Sequence, residues 1–192
     1  MESDKIKSVT ARDHILLRPT MYLGGMNPAE IDSWILNEDA TISFKKVTYT
    51  EGLLRVVNEA IDNSIDEYLK AEGQFATKVS ITCAEETCTV SDNGRGISTE
   101  KNANGEPICV DAVCKPMTGS NFEDDANRKS IGMNGLGIKG SNIFSKEFEC
   151  ITCDGQNTVK INCKNNLAEK KFKVTKAGNK RGTTITFKPD FE

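Results

Sequence analysis

Apolar and polar positions divide the chain into a helical beginning, a mixed middle and a strand-rich end. The longest periodic segment, EGLLRVVNEAIDNSIDEYLKAEG, follows Thr50. In it Leu54, Val57, Ile61, Ile65 and Tyr68 recur at spacings of three and four, which predicts a helix with one apolar stripe and a stop at Gly73. Before it, Thr10 is placed to cap a short helix over ARDHILLR that ends ahead of Pro19. RPTMYLGG reads as a turn leading into a loop, and residues 41–49, TISFKKVTY, as a strand. After the long helix, KVSITCA and CTVSD read as strands joined at Glu85–Glu86. SDNGRGIS reads as a sharp glycine-rich turn, KNANGEP as a loop and ICVDAVCKP as a short helix. Residues 118–134 carry few apolar side chains and predict a long loop, and GLGIKGSNIFS a loop running into a helix. From Lys146 onward four strands follow, EFECITC, NTVKINC, KKFKVTK and GTTITFK. This order predicts an α+β sandwich with helices on one face of a sheet.

Length and composition narrow the picture. The 192 residues suit a single domain, with the first nine as a polar arm and no Pro/Gly/Ser linker or internal repeat. A net charge of −3 argues against a domain whose main task is gripping nucleic acid. No secretory segment follows Met1, and no apolar run is long enough to span a membrane. Seven cysteines without a leader fit free thiols in a reducing cytoplasm. Cys150 and Cys153 form a CxxC within a strand, where positions three apart point to opposite faces and cannot share a metal. His14, the sole histidine, reads as a packed or surface residue of the first helix.

Three polar clusters remain. On the long helix Glu59, Asn63 and Asp66 share a narrow stripe roughly opposite the Leu54–Tyr68 stripe. On periodicity alone that is the solvated side of an amphipathic helix, and a functional role requires something to roof it. Asp92-Asn93-Gly94-Arg95-Gly96-Ile97 closes a strand; its carboxylate can accept from an amine, and its glycines let backbone approach a ligand, although an ordinary Asx turn has the same composition. Gly132-Met133-Asn134-Gly135-Leu136-Gly137 precedes a helix start and offers free N–H groups to phosphates, without being a Walker A motif.

The order and spacing of these clusters, with Gly182-Thr183 near the C-terminus, resemble the four motifs of the GHKL ATPase superfamily, which groups gyrase-type topoisomerases, Hsp90, MutL and histidine kinases. Arg18-Pro19-Thr20-Met21-Tyr22-Leu23-Gly24 is similar to the RPxMYxG segment of type IIA DNA topoisomerases, and Glu59–Glu67 to their helix motif. Ser120–Asp125 and Asn142–Ser145 resemble the lid and following helix of eukaryotic and T4-like phage enzymes, while Asp92 is a bacterial and phage feature where eukaryotic enzymes carry Asn. The likeness covers roughly residues 10–190.

The resemblance implies a two-layer sandwich of a mixed β-sheet, the Bergerat fold, that binds ATP and Mg²⁺. It implies Glu59 as general base on the water attacking the γ-phosphate, and Asn63 as the magnesium ligand. Asp92, with Thr183, would accept the adenine exocyclic amine, with Asp66, Arg95, Gly96 and Ile97 lining the pocket. Gly135, Leu136 and Gly137 would hold phosphates, with Asn134 beside them and Lys139 adding a cation. Residues 118–134, carrying Ser120 and Asn121, would form the ATP lid and supply the missing roof. The polar arm, residues 1–9, would cross to a second copy of the subunit when ATP closes a dimer. DNA would be gripped by domains outside residues 1–192, and without the transducer domain of such enzymes turnover is expected to be slow. The location implied is the cytoplasm, that of an infected bacterium for a phage protein. A MutL- or Hsp90-like ATPase would share the four motifs but lack RPTMYLGG. A histidine kinase would need a phospho-acceptor His on an upstream dimer helix. A non-catalytic nucleotide-gated interaction module could dispense with Glu59.

Overall fold

Alternation of inward apolar and outward polar side chains builds the main sheet. The computed structural model describes residues 8–116, 136–178 and 180–191. In it β3 (Val79–Ala84), β4 (Thr87–Asp92), β5 (Ser145–Cys153), β6 (Asn157–Lys164), β7 (Glu169–Lys176) and β8 (Gly182–Pro189) form one sheet in the order β3-β4-β8-β5-β6-β7. Every neighbouring pair is antiparallel, where a mixed sheet was expected. Val90, Phe148, Cys150, Val159, Ile161, Ile185 and Phe187 point to one side and are buried there. The other side carries hydroxyls: Ser91 pairs with Thr184 at 2.8 Å and Thr89 with Thr186 at 3.1 Å.

Helices cover the apolar side. They are α1 (Ala11–Leu17), α2 (Pro19–Leu23), α3 (Glu51–Lys70), α4 (Ile108–Cys114) and α5 (Gly137–Ile143). Thr10 caps α1 by accepting from the Asp13 N–H, as its position predicts. RPTMYLGG is not a plain turn: Pro19 opens α2 at its first position, where the missing N–H costs nothing. Two further strands, β1 (Ala29–Leu36) and β2 (Ile42–Tyr49), pair only with each other in a separate hairpin, and β1 was not foreseen.

The helix that carries the first motif packs differently from its expected stripe. Gly52, Val56, Ala60 and Ser64, each four apart, are buried, together with Asp66. Val57 and Ile61 are partly buried shoulders, whereas Leu54, Ile65 and Tyr68 are 48%, 38% and 44% exposed. Glu59 and Asn63 therefore flank the buried face instead of lying opposite it. Gly73 stops the helix with φ of +77°, as expected.

Cys109, Cys150, Cys153 and Cys163 are buried free thiols, as the strand and core positions predicted. Cys83 and Cys88 differ: they face each other across β3 and β4 and are joined by a disulfide. His14 meets the Tyr22 hydroxyl at 3.0 Å on the surface. Among the described residues no helix is long and apolar enough to cross a membrane, and no cluster of three or more His, Cys, Asp or Glu side chains could hold a metal.

Candidate functional site

The register of the sheet sets three polar side chains in a row. Asp92 on β4 stands opposite Thr183 on β8, and Thr183 opposite Thr152 on β5. The Asp92 carboxylate accepts from the Ser64 hydroxyl of α3 at 3.0 Å, from the Gly94 N–H at 2.8 Å and from the Thr183 N–H at 3.3 Å. Helix and sheet thus both hold it. Thr152 is fully buried; its hydroxyl accepts from the Ile97 N–H at 2.8 Å and lies 3.0 Å from the Thr183 hydroxyl. The row ties the glycine-rich turn to the end of the sheet.

The turn follows from its glycines. Gly96 has φ of +81°, and a side chain there would overlap the Cys153 carbonyl. At Gly94 a Cβ would come within 2.7 Å of both the Asp92 carboxylate and Glu67. Glu67 fastens the turn to α3: it accepts from the Arg95 N–H at 2.9 Å and from the Arg95 guanidinium at 2.8 and 3.0 Å. Burial raises the Glu67 pKa, but the Arg95 hydrogen bonds and charge outweigh it, and the net shift is downward. The stabilisation this gives is full above the ordinary glutamate range and is lost as acid protonates the carboxylate. Beyond the turn, Asp154 accepts from the Thr99 N–H and hydroxyl, at 2.8 and 2.6 Å. Burial opposes ionisation there, yet those bonds and the N–H groups of Asn157 and Gln156 hold its pKa well below the usual carboxylate range.

Glu59 lies across from this row on α3. Its side chain is 15% exposed, and its Oε1 accepts from Arg55 Nε at 2.7 Å, one helical turn away. Its Oε2 faces the start of α5, where a Cβ added to Gly137 would stand 3.2 Å away. Asn63, a further turn along, is exposed. Asp66 is 5% exposed. Lys139 is also 5% exposed; burial lowers its pKa, with partial relief from the Asp111 carboxylate. Leu136 precedes α5 and is 8% exposed. Ser120, Asn121, Asn134 and Gly135, with the expected lid over 118–134, lie outside the described residues.

The structure thus brings together Asp92, Arg95, Gly96, Ile97 and Thr183, and sets Glu59 against Gly137. It adds Ser64 and Glu67, which lie inside the Glu59–Glu67 helix motif without a role of their own there, and Thr152, which no motif contains. Ser64 stands in the i, i+4 series of Val56 and Ala60, a pattern that could have shown it facing the sheet. The other two are partners only through tertiary register. Thr152→Val keeps the shape and deletes the hydroxyl, leaving the Ile97 N–H unsatisfied. It is expected to cost about 1–3 kcal/mol in urea unfolding, and unchanged stability would show that the bond contributes nothing.

Known proteins resemble this chain in sequence and in fold. Residues 48–192 match the family described as histidine kinase-, DNA gyrase B- and HSP90-like ATPases. The chain is 36% identical over 195 residues to the DNA topoisomerase large subunit of Enterobacteria phage T4, an alignment that takes in 100% of this chain and 37% of that protein. The ATPase region of Saccharomyces cerevisiae topoisomerase II superposes with a TM-score of 0.87 at 30% identity, over 98% of this chain and 51% of the other. The ATPase and transducer domains of Balamuthia mandrillaris topoisomerase II superpose at 0.86 and 25% identity, over 100% of this chain and 51% of the other. This chain therefore spans about a third of the phage relative and half of each solved structure. Along its length it is homologous to the ATPase region of type II topoisomerases, and it belongs to the histidine kinase-, DNA gyrase B- and HSP90-like ATPase family.

Proposed function

We propose that residues 1–192 form one ATP-binding and hydrolysing domain of a type IIA DNA topoisomerase, in which ATP-driven pairing of two subunits gates DNA strand passage. The observation that carries this reading is the Asp92–Thr183–Thr152 row together with a Glu59 carboxylate whose Oε2 faces Gly137 at the start of α5. In this reading the row meets a base edge, and the Glu59 carboxylate stands toward the end of the phosphate chain.

At the base end, Asp92 takes the adenine exocyclic amine as a hydrogen-bond acceptor. Guanine presents a carbonyl at that edge, so the same carboxylate repels it. Thr183 adds its hydroxyl, and Gly96 and Ile97 give the base a close backbone wall, with Asp66 and Arg95 at its margins. At the phosphate end, Gly135, Leu136 and Gly137 offer backbone donors, Asn134 borders them, and Lys139 contributes positive charge from α5. Ser120 and Asn121 belong to the lid that closes over the nucleotide. Glu59 orients the attacking water and accepts its proton.

Magnesium suits the residue types present. Asn63 is exposed one turn beyond Glu59 and makes no side-chain hydrogen bond among the described residues, so its amide oxygen is available as a hard ligand. When bound, the ion offsets charge on the phosphate oxygens. The arm, residues 1–9, reaches a second copy of the chain, and DNA passage belongs to the rest of the parent protein in the cytoplasm.

Calorimetry tests the reading directly. With Mg²⁺ present, a non-hydrolysable ATP analogue is expected to bind, and the matching GTP analogue to bind at least about tenfold more weakly, a difference of about 1.4 kcal/mol. Equal affinity for the two would remove the base-reading role of Asp92, and no binding of either would remove the function.

A further inference from the structure

Where α4, α5 and β6 meet, the core turns polar. Cys114 closes α4, Asn142 lies near the end of α5 and Cys163 lies on β6. The two sulfurs are 3.5 Å apart. The Asn142 amide nitrogen donates to the Val113 carbonyl at 2.8 Å and reaches the Cys163 and Cys114 sulfurs at 3.4 and 3.8 Å. Asn142 is fully buried, Cys163 is buried and Cys114 is partly exposed. Among the described residues, Asn142 Oδ1 is the one buried side-chain oxygen or nitrogen without a hydrogen-bond partner.

Packing alone does not call for this arrangement. Aliphatic side chains would fill such a junction without leaving an amide oxygen unpaired, which costs free energy. The polar groups act on the thiols instead. The hydrogen bond from Cys114 pushes the Cys163 thiol down against the opposing effect of burial, and the Asn142 amide and the Lys170 charge add to it. The same sulfur–sulfur bond, with burial, pushes the Cys114 thiol up. The pair therefore holds one proton between two sulfurs, the state from which a thiolate can react. By contrast, burial pushes the Cys109 thiol of the same helix up to about 11.

We propose that Cys114 and Cys163 are a site of reversible oxidation, closing to a disulfide that ties the end of α4 to β6 and weakens nucleotide binding. The shared proton moves to Cys163, and the more exposed Cys114 sulfur attacks one sulfur of an external disulfide such as glutathione disulfide. The first glutathione leaves and takes the proton from Cys163. Cys163 then attacks the Cys114 sulfur and expels the second glutathione, which is protonated by solvent. Two cysteine sulfurs are oxidised and one disulfide is reduced to two thiols. Closure brings the sulfurs from 3.5 Å to about 2.05 Å. Asn142 bridges Val113 of α4 and Cys163 of β6, so the movement reaches α5. That helix opens at Gly137, opposite Glu59 Oε2, and carries Lys139 one turn before Asn142. The effect on nucleotide rests on the ATP-binding reading above, whereas the closure does not.

The test uses the 192-residue chain carrying C83S/C88S, which removes the disulfide between β3 and β4. The reduced protein is equilibrated with mixtures of reduced and oxidised glutathione. Its intact mass is expected to fall by two hydrogens, and peptide mapping without reductant to join the Cys114 and Cys163 peptides. Dithiothreitol is expected to reverse both. C114S and C163A are each expected to abolish the closure, and C109S to keep it. Cooperative thermal unfolding of the reduced variants verifies that they are folded. In calorimetry the closed form is expected to bind the non-hydrolysable ATP analogue at least about fivefold more weakly than the reduced form, a difference absent in C114S. No closure, closure that survives C114S, or closure with unchanged affinity overturns the proposal. A reduced chain that fails to bind the analogue overturns the nucleotide-binding reading and the effect on it, while mass and mapping still decide the closure.

Discussion

Asp92→Ala is expected to abolish measurable binding of the ATP analogue, a loss of at least about a hundredfold, while the chain stays folded. Two effects act together. The adenine amine loses its acceptor, and hydrogen bonds to a charged group contribute about 1.5–3 kcal/mol. The pocket also loses its keystone, since Ser64, the Gly94 N–H and the Thr183 N–H all converge on this carboxylate. Stability should therefore fall as well, by about 1–3 kcal/mol for the donors left without a partner. Asp92→Asn separates the two effects. Its amide oxygen still accepts from the base and its amino group can donate to the Ser64 hydroxyl, so binding should survive with a smaller loss. Calorimetry of both variants with the non-hydrolysable analogue is the measurement. Normal affinity in the alanine variant would sink the adenine assignment outright.

What the sequence made legible follows from how each element is stabilised. Strands β4, β5, β6 and β8 alternate inward and outward along a half-buried sheet, so residues such as Phe148, Cys150, Val159 and Ile161 disclose their side by period alone. The hairpin breaks that logic. Trp34, Leu36, Ile42 and Phe44 are 58–70% exposed on one face, so no core imposes its pattern and β1 escapes a reading based on burial. On α3 the large apolar side chains misdirect, because the helix docks through Gly52, Val56, Ala60 and Ser64. A periodicity weighted by side-chain hydrophobicity sees Leu54 and Ile65 and misses a face made of small residues. The same limit governs the site. Asp92, Gly96 and Gly137 sit in motifs whose spacing is local, whereas Thr152 and Glu67 enter through a strand register and an ion pair between residues 28 apart.

The correction on α3 bears directly on Glu59. Had the Leu54–Tyr68 stripe faced the sheet, Glu59 would have pointed into solvent and its replacement would be silent. With the small-residue stripe buried, Glu59 sits at the rim of the helix–sheet junction, its Oε1 held by Arg55 and its Oε2 turned to Gly137. Among the described residues only one carboxylate oxygen accepts a hydrogen bond, which leaves the other to accept a proton from water. Glu59→Ala is therefore expected to leave affinity for the ATP analogue within about twofold, since the Asp92–Thr183–Thr152 row is untouched and the lost carboxylate would meet the attacking water and not the nucleotide. Turnover in the intact parent enzyme should fall by about 10²–10⁴, the contribution of a positioned general base. The two readouts divide the possibilities cleanly. A carboxylate that merely orders α3 through Arg55 would lower stability and turnover modestly and together, and Arg55→Ala would then reproduce the Glu59→Ala phenotype. Loss of turnover with binding intact, and no such loss on Arg55→Ala, places the proton transfer on Glu59. Full turnover without Glu59 would assign the base elsewhere and return this carboxylate to the solvated surface.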